Sequence, residues 1–356
     1  MVNQIAIGIA AGLAAALLYG TVAAGTALSM VLFYMAALPL LIAGLGWGWA
    51  SALVGAAIAA VAAFFMLGAK ASLLFMLAVC APAVWLAYLA NLARRSGNGS
   101  GAVEWYPVGR LIAWVSVLGG LLLLPSVIAF DFSLAAYEAS IRETFSRLLE
   151  GGGGASELPP DFDPEALAAF FVRFVPPVSV MVWIGMSLAN LYVAGRIVQI
   201  SGRLKRPWPD LTRLELPRAL AGALAGALIA SFLPGLPGVV AGSFAAGFLF
   251  AFMIQGLAVM HVVTRPSKVR PLILGGVYFV LVFLGWSGAV LSWSGLLLAL
   301  LGLAEQVVAL RSRVPGGGPG AGPGGRAILP PQNGRDHSND NSDGNSNDDS
   351  NQNQRD

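Results

Sequence analysis

LPLLIAGLGWGW, residues 38–49, sets Gly44, Gly46 and Gly48 among apolar side chains, and its reading decides the fold. A glycine turn that cradles a phosphate follows a strand, opens an amphipathic helix and carries a Lys or Ser/Thr at a fixed offset, because backbone N–H groups and a cation must converge on the anion. None of these surrounds the stretch, and the long runs on either side hold no charged residue. The alternative is a joint between two membrane helices, with Trp47 and Trp49 at the headgroup level that indoles prefer.

Composition carries the joint outward to the whole chain. Of 356 residues, 57% are hydrophobic and 11% charged, with a mean hydropathy of +0.74; an ordinary soluble domain is roughly 25% charged. A soluble fold with this imbalance could not cover its surface with polar groups, whereas a bilayer-embedded one has no such need. The expected fold is therefore all-α, a polytopic transmembrane bundle. Its first span carries no Lys or Arg before the apolar run, which points to an uncleaved span rather than a signal peptide.

A helix needs about 20 apolar residues to cross the hydrocarbon. Windows of that kind fall at residues 5–25, 29–46, 49–68, 72–93, 108–130, 174–197, 218–234, 238–262, 271–289 and 292–311, or about ten spans. Counting Lys and Arg on alternate sides places fourteen on one face, in loops that include Arg94, Arg110, Arg203, Arg265 and Arg311, and four on the other (Lys70, Arg142, Arg147, Arg173). The positive-inside rule then puts both termini in the cytoplasm of a bacterial inner-membrane protein. The basic stretch RLKRPWPDLTRLELPR, residues 203–218, is explained by that topology alone, with lipid headgroups or a partner as an added contact.

Two regions depart from the pattern. Residues 131–173 form an outer segment with eight acids against three arginines. In it Leu134, Tyr137, Ile141, Phe145 and Leu148 recur at helical spacing up to Gly151–Gly154, which predicts an amphipathic surface helix. Asp163-Pro164-Glu165 then predicts the start of a second, short helix. From residue 313 to 356 the chain turns to Pro/Gly and then Asn/Asp/Ser repeats, too poor in apolar surface to offset the entropy of ordering, so a disordered cytoplasmic tail is expected after a transmembrane domain at 1–312.

Chemistry has little to work with. Cys80 is the single cysteine, and His261 and His337 are the only histidines, which leaves no disulfide and no thiolate or His-based metal set. GWSG, residues 285–288, matches the G-x-S-G of rhomboid-type intramembrane proteases, but no later span supplies the histidine that would take the serine proton. Neither H-E-x-x-H nor G-x-x-x-x-G-K occurs. An enzyme is not expected, nor a metal, a cofactor or a nucleic-acid partner.

Polar residues inside spans are costly and mark function by default. Asn190, Gln255, His261 and Glu305 all fall in the basic-side half of their spans and together could line a polar cavity facing the cytoplasm. Read more plainly, they are wetted helix ends or interhelical hydrogen bonds worth about 0.6 kcal/mol each. Small residues repeat every four positions: Gly8 and Gly12 in one row of the first span, Ala6, Ala10 and Ala14 in another, and Gly222 and Gly226 in the seventh. Such rows let helix backbones approach closely, either within the chain or across to a second copy or another subunit.

From Ile5 to about Ala93 the chain resembles the YybS-like family of bacterial membrane proteins, through the small-residue first span, FYMAALPLLIAGLGWGW and MLGAKASLLFML, with EWYPVGRL beyond. That family is distantly similar to the substrate-capturing subunits of energy-coupling-factor vitamin transporters. The resemblance implies that Ala6, Ala10 and Ala14 face a membrane coupling subunit, and it carries over no ligand-binding residue. Such subunits have about six spans, fewer than are read here. Two roles follow as expectations: a component that binds or takes up a vitamin-like small molecule, or a scaffold recruiting partners through its tail, basic loops or outer acidic helix.

Overall fold

The computed structural model describes residues 2–95, 103–123, 133–151, 164–286 and 293–313. By contacts the chain divides into Met1–Gly318 and Pro319–Asp356, and the expected disordered tail lies outside the described residues from residue 314 on.

Helices dominate, in the order α1 (Val2–Gly20), α2 (Ala27–Tyr34), α3 (Leu38–Trp47), α4 (Trp49–Leu67), α5 (Ala69–Phe75), a π-helical turn (Met76–Cys80), α6 (Ala81–Ala90) and α7 (Val108–Leu121). There follow α8 (Leu134–Gly151), α9 (Pro164–Ile200), α10 (Ala219–Ala230), α11 (Leu236–Val263), α12 (Arg270–Trp286) and α13 (Trp293–Val308). Six stretches are long and apolar enough to cross a membrane: Asn3–Ala24, Ala27–Trp47, Trp49–Leu67, Ala69–Ala90, Phe170–Ile200 and Leu236–Val263. Four more, Val108–Leu121, Ala219–Ala230, Arg270–Leu281 and Trp293–Val308, are apolar but shorter, so the described residues hold six full-length candidate spans where the sequence windows count ten.

The joint between the second and third windows is a single residue. Gly48 takes φ 110°, ψ 157°, a conformation open to glycine, and the helices end and restart at Trp47 and Trp49 on either side of it. Gly44 lies within α3 and is buried; a Cβ there would press on the Ala87 and Ala52 methyls. Gly68, at φ 87°, repeats the device between α4 and α5.

Three local features differ from the sequence reading. The helix expected to begin at Pro164 does not stop but runs to Ile200, passing through Pro176 and Pro177. Its 37 residues extend about 55 Å, well beyond the roughly 30 Å of hydrocarbon. Contacts along the helix with α3, α7 and α11 offset the hydrogen bonds that the prolines remove. Secondly, Ala93–Arg95 and Val103–Trp105 pair as a short antiparallel hairpin, β1 and β2, with the Arg94 guanidinium donating to Glu104 at 2.8 Å. Thirdly, two spans are broken inside the bundle, one at residues 35–37 between α2 and α3 and one at the π turn between α5 and α6. The amphipathic helix does form over Leu134–Gly151, ending at the first of the four glycines, with Ser133 accepting from the Ala136 N–H at its start.

Packing follows the small residues. Gly8 and Gly12 of α1 lie against Ser51 and Gly55 of α4 so closely that a Cβ on Gly8 would stand 2.7 Å from the Ser51 carbonyl oxygen. Gly256 of α11 and Gly302 of α13 meet backbone to backbone in the same way. Two apolar clusters result, one from α1 to α7 with α9, the other from α7, α10, α11 and α13 with the loop residues Leu214 and Leu216. Leu188 of α9 packs against both.

Candidate functional site

The two broken spans face the same surface of α9. In the first, the Tyr34 carbonyl would in a continuous helix accept from the Leu38 N–H, but that N–H turns to Met35 instead, at 2.9 Å. The Asn190 side chain, 7% exposed, donates its Nδ2 to the Tyr34 oxygen at 2.8 Å and to its own helix at Met186 at 2.9 Å. In the second, the α-helical donor for the Ala78 carbonyl would be residue 82, which is proline and has no N–H. The Trp183 indole supplies the hydrogen bond from outside, at 2.9 Å. Trp183 and Asn190 are seven residues apart, two turns of one helix face. A buried carbonyl without a donor costs on the order of 1–3 kcal/mol, so each side chain stabilises a break that would otherwise be unfavourable in an apolar interior.

Between the breaks and α9 lies a cavity of about 380 Å³. One wall is aromatic: the Tyr19 ring stacks on Phe75 at 4.0 Å and meets Phe33 at 5.2 Å, and Phe33 meets Tyr34 edge-on at 5.5 Å. The opposite wall is a stripe of α9, with Ser179, Trp183, Ser187 and Asn190 on successive turns. No lining residue carries a charge. The Ser179 and Ser187 hydroxyls and the Asn190 Oδ1 make no hydrogen bond to any other described residue, which leaves polar groups of the cavity wall available to an occupant.

The four polar residues singled out in the sequence do not line one chamber. Asn190 lies at this first cavity. His261 lines a second, of about 530 Å³, toward the opposite end of the bundle, where the C-terminal parts of α6, α9 and α11 meet the start of α7 and the basic loop. Its Nδ1 lies 2.9 Å from the Leu257 carbonyl and so carries the proton, which leaves Nε2 to accept from the Tyr278 hydroxyl at 3.5 Å.

Gln255 and Glu305 serve instead to tie down the basic loop. Gln255, 1% exposed, accepts the Leu216 N–H at 3.2 Å, and Gln306 donates to the Leu216 carbonyl at 3.3 Å. Glu305 is paired with Arg311, whose Nε donates to its carboxylate at 2.8 Å while the Arg311 backbone N–H bonds the other oxygen at 3.2 Å. Both side chains are nearly inaccessible. Arg311 also donates to the Thr212 carbonyl at 2.9 Å, and Arg265 donates to the Thr212 hydroxyl at 3.0 Å. Arg265 and Arg311, from separate loops, thus meet at Thr212.

Sequence reading missed Trp183, Ser179 and Ser187 as cavity residues and Arg311 as a buried partner. The available signals were Pro82, which deprives the Ala78 carbonyl of its α-helical donor, Pro39, which deprives that of Met35, so that Leu38 turns to Met35 and leaves Tyr34, and Glu305, a carboxylate inside a span that needed a cation. Ser287 and Gly288 of the GWSG stretch lie outside the described residues. Among the described residues no three His, Cys, Asp or Glu side chains gather as a metal set.

The small-residue rows also separate. Gly8 and Gly12 are buried within the chain, Ala6 and Ala10 point outward with Ala14 half-buried, and Gly222 and Gly226 have open space where a Cβ would stand.

Compared with known proteins, the chain has no match among curated sequences or among solved structures. The family described as "predicted membrane protein (DUF2232)" matches residues 10–297, a span that takes in both cavities and the loop between α9 and α10. The chain belongs to this family of membrane proteins.

Proposed function

We propose that the protein is a non-enzymatic component that binds a small uncharged solute for uptake across a bacterial inner membrane. The observation that carries this reading is the meeting of two interrupted helices at one polar stripe of α9, around a cavity of about 380 Å³. Interrupted spans are the common way for membrane proteins to bring backbone and side-chain polar groups to an internal binding site. A cavity of this size falls in the range of small-molecule sites. Aromatic faces on one side and hydroxyl and amide groups on the other suit a planar solute with hydrogen-bonding edges. The absence of charge from the lining disfavours an ion.

The resemblance to the YybS-like family, and through it to vitamin-capturing subunits, supports the same role. In this reading the outward row Ala6, Ala10 and Ala14 is the face offered to a coupling subunit, and the basic loops face the cytoplasm with both termini. Reporter fusions at residues 155 and 210 test that topology: the first should report the periplasm and the second the cytosol.

The binding itself is tested by thermal stabilisation of the purified full chain against a metabolite library. A specific shift is expected, lost in Ser187→Leu, which fills the cavity without touching the Asn190 bonds. No shift from any metabolite, together with a protein partner retained through purification, would replace this reading with that of a membrane scaffold.

A further inference from the structure

The second cavity, at the basic end, differs in chemistry from the first. It encloses about 530 Å³, and its walls are apolar apart from a few groups, chiefly Arg206, Trp208, Tyr192, Thr212, His261 and Tyr278. Arg206 is the informative one. Its Nε is buried with no hydrogen-bond partner, and its terminal nitrogens reach only two backbone carbonyls, those of Ala90 at 3.4 Å and Tyr106 at 3.5 Å, at the long limit for such bonds. No carboxylate among the described residues pairs with it.

The neighbouring cations are already engaged. Arg196 lies 4.7 Å over the Trp208 ring, Arg265 bonds Thr212, and Arg311 is spent on Glu305. A half-buried guanidinium without a counter-charge is costly, and burial pushes its pKa down. Elsewhere the same fold neutralises a buried arginine, Arg311, with a glutamate. For Arg206 no such charge is present among the described residues, and the apolar walls of the cavity specify what would accompany one.

We infer that this cavity binds an anionic amphiphile, with its carboxylate or phosphate on the Arg206 guanidinium and its hydrocarbon along the wall formed by Leu188, Leu191, Ile254 and Leu257. The terminal nitrogens hold their two carbonyls only at the long limit, so a charged oxygen acceptor in the cavity competes for them on favourable terms. Trp208 and Tyr192, edge to face at 5.4 Å, flank the entry with amphipathic rings suited to the headgroup region. The anion has two sources, a bilayer phospholipid or a free fatty acid, and they share this chemistry.

The test uses the full chain in phosphatidylcholine nanodiscs, with oleate added in one arm and phosphatidylglycerol included in the other. Lipid retained by native mass spectrometry and thermal stability are read in both. Saturable binding in at least one arm is expected, and the arm that responds identifies the source. Arg206→Gln should weaken it about tenfold or more, the loss that follows from removing a hydrogen-bonded charge. Arg206→Lys should recover part of the binding, and oleyl alcohol should show no dependence on the residue. Ala258→Phe, which narrows the cavity, should reduce binding with Arg206 intact. Equal binding by wild type and a folded Arg206→Gln protein, or no saturable binding in either arm, would overturn the proposal. Either result leaves the solute cavity at Asn190 untouched, because the two share no lining residue.

Discussion

In α1 the glycines at positions 8 and 12 disappear into α4, where the Ser51 and Gly55 carbonyls occupy the space that side chains would need. In α10 the glycines at positions 222 and 226 keep the same four-residue interval, yet among the described residues nothing comes within 4 Å of where their Cβ atoms would be. One row is a closed contact and the other an open face. Small-residue spacing therefore says that a helix can be approached closely, and not by what. In a bilayer no hydrophobic force drives helices together, and close fit and polar bonds decide which faces close.

The closed side also uses charge, and there the largest effect is expected. Glu305 lies one turn beyond Gly302, which presses on α11, and Glu305→Ala would leave Arg311 buried without its carboxylate. A loss of about 3–5 kcal/mol should follow, seen as a sharp fall in thermal stability of the purified chain. A loss below about 1 kcal/mol would show that water already reaches the pair, as it does exposed pairs.

Gly12→Val comes next. The added branches meet the Gly55 carbonyl and Ile58, backbone on one side and packed side chain on the other, so an overpacking cost of about 1–3 kcal/mol is expected. An unchanged melting temperature would mean that α1 and α4 do not meet as described.

Asn190→Ala removes the donor from the break at Tyr34 and should cost about 1–2 kcal/mol. Asn190→Asp should not restore stability, since an ionised carboxylate cannot donate to the Tyr34 carbonyl.

A smaller effect belongs to Asp210, which opens the turn Leu211–Arg213. Its carboxyl is held below the usual range first by the Thr212 hydroxyl, with the Thr212 N–H, Arg213 and Arg265 adding to it and together outweighing the opposing effect of burial. A depressed pKa contributes stability above the ordinary carboxylate range of about 4, and that contribution is lost as pH falls through the folded value. The protection of the Thr212 amide, its exchange relative to the intrinsic rate at each pH, should therefore fall in acid, and the Asp210→Asn protein should lose most of that acid dependence.

The smallest effect is predicted at the open face. Gly226→Leu should change the stability of the isolated chain by no more than about 0.5 kcal/mol. A drop comparable to Gly12→Val would erase the contrast between the two rows. A change confined to cross-linking between copies, with stability unaltered, would sharpen it by showing that a second chain closes the face.

Much of the helix pattern was legible because apolar windows and glycine joints are local properties. Gly48 and Gly68 mark the turns between α3 and α4 and between α4 and α5. Leu134 to Gly151 became the amphipathic helix that its spacing requires. The continuity of α9 through Pro176 and Pro177 was not legible, because its support comes from α3, α7 and α11, which are remote in sequence. The hairpin Ala93–Arg95 with Val103–Trp105 is too short to show a period, and its cross-strand pairs, Arg94 with Glu104 among them, join residues on either side of a loop. At the candidate site, Pro39 and Pro82 announced breaks, but 151 residues separate Pro39 from Asn190 and 101 separate Pro82 from Trp183.

The sequence by itself determined that this chain belongs in lipid, that helices end and restart at Gly48 and Gly68, and which loops gather positive charge, since these follow from transfer free energies and backbone preferences of neighbouring residues. Only the tertiary structure decided which carbonyls freed at the helix breaks find a donor, which glycine row closes, and that Arg311 is neutralised while Arg206 has no carboxylate among the described residues. Those outcomes depend on distances between residues far apart in the chain, and hydrogen bonds and close packing act only at contact.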